Sequence, residues 1–107
     1  MTGQELVTQY VEPLLKAQVD RLTALNALIQ VELTGTDGGK WLIDATKNPP
    51  SLTAGESAAA VSTISMDIEL FRKILMKETQ APMAFMTGQI KVAGSLGTAI
   101  KFGQILD

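Results

Sequence analysis

The sequence predicts an α+β fold, one domain whose mainly antiparallel sheet carries its helices gathered on one face. Three observations lead there. Apolar residues recur every three or four positions near the N-terminus, around residue 70 and near the C-terminus, the spacing of amphipathic helices. Between these stretches the period drops to two, the spacing of half-buried strands. The resulting order is helix, two or three strands, strand, helix, short helix, strand, helix. It shows no repeat and no linker within 107 residues, the length of one ordinary domain, so residues 1–107 are read as a single domain.

Thr2-Gly3-Gln4-Glu5 reads as a capping box with Thr2 as N-cap and Glu5 three residues later. Leu6, Tyr10, Leu14 and Val7, Val11, Leu15 then form one helical stripe, continued by Val19 and Leu22. Pro13 either kinks this helix or opens a second one from its first turn, and the sequence leaves both open. From Ala27, the residues Ala27, Ile29, Val31 and Leu33 alternate with Leu28, Gln30 and Glu32. Asp37-Gly38-Gly39 is a turn signal, and Trp41, Ile43 and Ala45 alternate with Lys40, Leu42 and Asp44 beyond it. The two runs predict an antiparallel hairpin. Asn48-Pro49-Pro50 is a further turn, Ser51–Thr53 a candidate third strand, and Ala54–Ala59 a loop or a tight turn leading early into a strand. Ala60–Met66 alternates again, with Ser62, Ile64 and Met66 on one face. Asp67 is read as the N-cap of a helix with Leu70, Phe71, Ile74 and Leu75 on its apolar side and Glu69 in its first turn. A short helix over Gln80–Met86 ends at Gly88, a strand covers Gln89–Ala93, and Gly94 turns the chain. Ser95 can cap a last helix striped by Leu96, Ala99, Ile100 and Phe102, which Gly103 weakens or ends.

Composition excludes more than it assigns. Net charge is −2 and the nine basic residues are scattered, so no field favours nucleic acid or an anionic membrane. The sequence has no cysteine and no histidine, which removes disulfides, thiol and imidazole catalysis and the usual zinc ligand sets. No cofactor is expected. No apolar run is long enough to span a bilayer, and the N-terminus lacks a signal-peptide layout. A cytoplasmic location is the expectation. Asp67 and Glu69, the nearest carboxylate pair in a defined element, are two positions apart and do not face each other on a helix, so capping describes them better than acid–base work. Charged residues are only 19% of the chain, which leaves room for apolar surface beyond what a core needs.

That surplus concentrates late in the chain. Met66, Met76, Met83 and Met86 stand near Phe71 and Phe85, and methionine suits either irregular core or variable apolar partners. Leu96, Ile100, Phe102, Ile105 and Leu106 are equally open to reading as a lid, a dimer face or the last of the core. Gly94-Ser95-Leu96-Gly97 matches no nucleotide-binding fingerprint and reads as a tight turn. A lipid head group or the phosphates of coenzyme A could still approach it.

Three segments together resemble the sterol carrier protein type 2 domain, the non-specific lipid-transfer domain. They are the hairpin from Asn26 to Ala45 with Lys40-Trp41-Leu42-Ile43-Asp44, the run Ser62-Thr63-Ile64-Ser65-Met66 into the Asp67 helix with Phe71, and the stretch from Ala84-Phe85-Met86-Thr87-Gly88 through Lys91-Val92-Ala93-Gly94 to Phe102. The resemblance covers about residues 24–106. It implies a five-stranded mixed sheet with helices on one face and an apolar tunnel between the layers. Carried over by position, it implies a lining of Trp41, Ile43, Ile64, Met66, Phe71, Leu75, Phe85, Met86, Ile90, Val92, Leu96, Ile100 and Phe102. The implied ligand is a long-chain lipid, meaning a fatty acid, fatty acyl-CoA, sterol or phospholipid, bound without catalysis and with transient membrane contact. The sequence closes on Ile105-Leu106-Asp107, without the peroxisomal tripeptide of some relatives, which leads to the expectation of a more open pocket or one closed by a second subunit. Monomer and homodimer both remain open. Two rival expectations stand beside this one: an accessory module that dimerises or docks through its apolar C-terminal helix, and an enzyme using carboxylate or lysine chemistry on a lipid.

Overall fold

Pro13 has no amide hydrogen to donate, and the first helical run is built around that lack. In the computed structural model, which describes residues 2–47 and 49–106, Thr2 caps α1 (Gly3–Leu6). The Thr2 hydroxyl accepts from the Glu5 amide at 3.1 Å, and the Glu5 carboxylate accepts from the Thr2 amide at 3.0 Å. The backbone then widens into a π-helical turn over Val7–Val11, where the Glu12 amide reaches back to the Val7 carbonyl. Helix α2 (Glu12–Ala17) resumes with Pro13 in its first turn, directly after the π-helical turn. Both readings of Pro13 therefore hold in part: the run is continuous, and the proline opens a new segment of it. Helix α3 (Val19–Leu25) ends on Asn26, whose left-handed backbone (φ 46, ψ 53) turns the chain into the sheet.

The strands are β1 (Leu28–Thr34), β2 (Gly39–Asp44), β3 (Ser51–Ala54), β4 (Ser62–Asp67) and β5 (Lys91–Gly94). They lie in the order β3-β2-β1-β4-β5, and only β1 and β4 run parallel. The predicted turn at Asn48-Pro49-Pro50 includes Asn48, which lies outside the described residues along with Met1 and Asp107. Register aligns one apolar face. Ile29 lies beside Ile43 and Ser62, Val31 beside Trp41 and Ile64, Leu33 beside Met66, Ile43 beside Leu52, and Ile64 beside Val92. Helices α4 (Ile68–Leu75), α5 (Ala81–Met86) and α6 (Leu96–Leu106) join α1–α3 over that face, and the buried apolar side chains of both layers form a single cluster.

The other face of the sheet is largely polar. Its one buried polar group there, Gln30, donates to the carbonyls of Trp41 at 3.0 Å and Gly55 at 2.8 Å and accepts from the Ser57 amide at 3.0 Å. These bonds pin the loop after β3 across the sheet, and Lys40 pairs there with Glu56 at 3.0 Å.

Two expectations need correction. Gly103 does not end the last helix, which runs through it to Leu106. Glycine weakens a helix interior by only about 1 kcal/mol relative to alanine, and burial of Phe102, Ile105 and Leu106 on either side outweighs that. The last strand begins at Lys91 rather than Gln89, because Gln89 is held back by the α5 end, where its amide donates to the Ala84 carbonyl at 2.9 Å.

Candidate apolar binding site

Alternation along β4 turns Ile64 and Met66 inward, and the register sets Val31 on one side of Ile64 and Val92 on the other. Asp67 then reverses the chain. Its carboxylate accepts from the Glu69 amide at 2.9 Å and starts α4 at once, so Phe71 and Ile74 fold back over the strand they follow. In α5, Pro82, Phe85 and Met86 share one side by their three- and four-residue spacing, while Ala81 and Ala84 pack inward. Gly94 adopts φ +86 and the Ser95 hydroxyl accepts from the Thr98 amide at 3.2 Å, which launches α6 across the sheet edge. The far end of α6 is tied down by Lys77, whose ammonium donates to the Leu106 carbonyl at 2.7 Å.

The three helices do not close on the sheet. Between them lies a cavity of about 260 Å3, near the lower end of the roughly 300–1,000 Å3 usual for ligand pockets. Its floor is Val31, Ile64, Met66 and Val92, and its walls are Phe71 and Ile74 of α4, the α5 residues Ala81, Pro82, Phe85 and Met86, and Ile90. Helix α6 supplies Leu96, Ala99, Ile100, Phe102, Gly103, Gln104 and Leu106. The lining has no ionisable side chain, and its single polar side chain is the exposed Gln104. Phe71 and Phe102 are each 2% exposed and form the inner end, whereas Ile100 is 49% and Met86 81% exposed, so the cavity opens between α5 and α6.

Four groups outside the cavity lining have shifted titration. The Glu5 carboxyl is lowered by the Thr2 amide, and that of Asp44 by the Thr46 hydroxyl. Lys40 is raised by its bond to Glu56, and Arg72 by its bond to Glu69. These are surface capping and pairing interactions. Among the described residues no cluster of acidic side chains could hold a metal ion, and no helix is long and apolar enough to cross a membrane.

Of the residues the sequence nominated, the structure brings Ile64, Met66, Phe71, Phe85, Met86, Ile90, Val92, Leu96, Ile100 and Phe102 to the cavity. It does not bring Trp41, Ile43 or Leu75 there. Trp41 and Ile43 face the same side of the sheet, but β2 lies toward the other edge. Gly3 stacks so closely on the Trp41 ring that a Cβ there would meet it at 2.5 Å. Leu75 is half-buried at the last residue of α4, where Met76 leaves helical geometry. The carried-over lining did not include Val31, Ile74, Ala81, Pro82, Ala99, Gly103, Gln104 or Leu106, although Leu106 belonged to the C-terminal cluster read as a lid, a dimer face or core. The signal for several was present: Ile74 follows Phe71 by three, Gly103 follows Ile100 by three, and Leu106 follows Phe102 by four.

This arrangement has relatives. Residues 9–107 match the model of the SCP-2 sterol transfer family. Hydroxysteroid dehydrogenase-like protein 2 of Bos taurus is 34% identical over 89 residues, which are 82% of this chain and 21% of that protein. The human protein of the same name is 33% identical over the same shares. The chain thus spans about a fifth of the length of these relatives. Among solved structures, sterol carrier protein 2 from Yarrowia lipolytica in its apo form superimposes with a TM-score of 0.69 at 26% identity, covering 85% of this chain and 74% of that one. Palmitated SCP2L2 from Aedes aegypti gives 0.69 at 20% identity, covering 91% and 94%, a likeness of fold. On the match over residues 9–107, the chain belongs to the SCP-2 sterol transfer family.

Proposed function

We propose that this chain binds one long-chain lipid in the cavity between its sheet and α4–α6, and carries it without catalysis. The observation that carries this reading is the lining: a continuous apolar wall from buried Phe71 and Phe102 out to exposed Ile100 and Met86, without an ionisable group. Burial of a chain there is favourable by about 0.8 kcal/mol per methylene before the costs of binding. Micromolar affinity needs roughly −8 kcal/mol, which partial burial of a palmitate-sized chain supplies. Apolar contact has no direction, so fatty acids, acyl-CoA and sterols compete for one site with modest discrimination. The polar head group stays at the mouth, where Gln104 is the available partner and bulk water the remaining one.

A binder rather than a catalyst fits a lining with no acid, base or nucleophile. The matching segment makes up about a fifth of proteins named for dehydrogenases, which supports a role in presenting a bound lipid to an enzyme. A cysteine-free chain is consistent with a reducing, cytoplasmic setting.

Phe85→Asp and Ile100→Asp test the assignment. Both residues line the cavity yet are at least partly exposed, so the fold tolerates the charge. The expected result is a loss of fluorescent fatty-acid uptake by at least about tenfold with a near-native circular dichroism spectrum, because an unpaired carboxylate is strongly disfavoured against an alkyl chain. Unchanged uptake in both variants would remove this cavity as the binding site.

A further inference from the structure

Exposure changes in step along the two helices that frame the cavity mouth. Helix α5 begins at buried Ala81 and ends at exposed Met86, whereas α6 begins at exposed Leu96 and ends at buried Leu106. Away from the mouth the two helices meet where Gly103 faces Ala81. A Cβ on Gly103 would lie 3.9 Å from the Ala81 Cβ and, among the described residues outside its own helix, within 4 Å of nothing else. Both residues line the cavity. Ala84, the next inward residue of α5, is buried without lining it, so helix packing and cavity lining fall on different alanines. The end of α6 is fixed beside this point. Lys77 holds the Leu106 carbonyl at 2.7 Å, and Phe102 and Ile105 are buried on either side of Gly103.

We infer that Ala81 and Gly103 set the longest acyl chain the cavity takes, by leaving its inner end free for the methyl terminus of the lipid. The inference rests on the lipid-binding reading and deepens it. Apolar contact does not choose a head group, but it does register length, since each methylene buried adds to affinity until the space runs out. With α6 tied at Leu106, a larger side chain at either position turns into the cavity rather than pushing the helices apart. Its carbons then occupy space that the far end of a long chain would fill, and close-packed walls leave no slack for both. A short chain, held nearer the mouth, loses less.

Gly103→Leu and Ala81→Leu test this from opposite walls, and leucine is a good helix former, so neither helix is broken by propensity. Displacement of a fluorescent fatty acid by laurate, palmitate and stearate is measured on the full chain and on each variant, with circular dichroism as the check on folding. In the wild type stearate is expected to bind at least about tenfold more tightly than laurate. Each variant is expected to lower that ratio by about tenfold. A ratio unchanged in the folded variants overturns the proposal. So does an equal loss of laurate and stearate affinity, which would make the pair part of the general packing. The two substitutions sit on separate helices, so either one that folds is decisive. A wild type that binds no fatty acid removes the lipid-binding reading and this proposal with it, whereas wild-type binding with an unmoved length ratio removes the proposal alone.

Discussion

At Gly94 the backbone takes φ +86, and a Cβ there would run into the Val61 carbonyl. No side chain fits, so the turn that aims α6 across the mouth depends on this glycine. Gly94→Ala is expected to lose about 2 kcal/mol or more of stability in urea unfolding, from left-handed strain together with the clash; a loss below about 0.5 kcal/mol would mean that the turn relaxes freely. Which side chains face inward was legible at this scale, because alternation on β4 and the stripes of α4 and α6 declare it. Which inward side chains meet the cavity was not. Trp41 and Ile43 obey the same alternation as Ile64 and Met66. What separates them is Gly3 and the N-terminal helices standing over β2, a tertiary fact with no local pattern. Gly103 and Ala81 line the cavity by being small, which a search for apolar bulk passes over.

Among the elements, α6 has the most to do. It packs Ala99, Phe102, Ile105 and Leu106 inward, presents Leu96 and Ile100 at the opening, and is held by Ser95 at one end and Lys77 at the other. Gly103 is its weak point. A Cβ at Gly103 would meet Ala81 Cβ at 3.9 Å, an ordinary contact. Gly103→Ala should therefore raise stability by about 0.5–1 kcal/mol through helix propensity alone, read as a higher urea midpoint with the same slope. A lower midpoint would show that α6 needs flexibility there to hold its place. The elements themselves were readable because each carried both a period and a stop signal, such as Asp67 before α4 or Gly88 after α5. The exceptions were boundaries set from outside the element. The first strand residue of β5 moved because Gln89 is bound to α5, and α6 outran its glycine because residues beyond it are buried.

For the molecule as a whole, the two layers and the mixed sheet follow from element order, and the family resemblance anticipated the five strands in their mainly antiparallel arrangement. Unfilled space is a different kind of property. A cavity of about 260 Å3 reflects how far α4, α5 and α6 stand from the sheet, and the same apolar stripes could have closed into solid core. The surplus of methionine and phenylalanine between Met66 and Met86 was the sequence's one hint of it, and that hint fitted core filling equally well. Uneven charge is the other whole-molecule feature: ten of the eleven acids lie at or before Glu78, and between Glu78 and Asp107 the charged residues are Lys91 and Lys101.

The measurement that bears most directly on the central claim is a titration of delipidated protein with a fluorescent long-chain fatty acid, followed by displacement with unlabelled fatty acid, acyl-CoA and sterol. The account predicts saturable binding of one molecule per chain at about micromolar affinity, with all three competitors displacing the probe. No saturable binding at tens of micromolar, in order of magnitude, would mean that the cavity closes in solution on its own side chains and would contradict the lipid-binding reading.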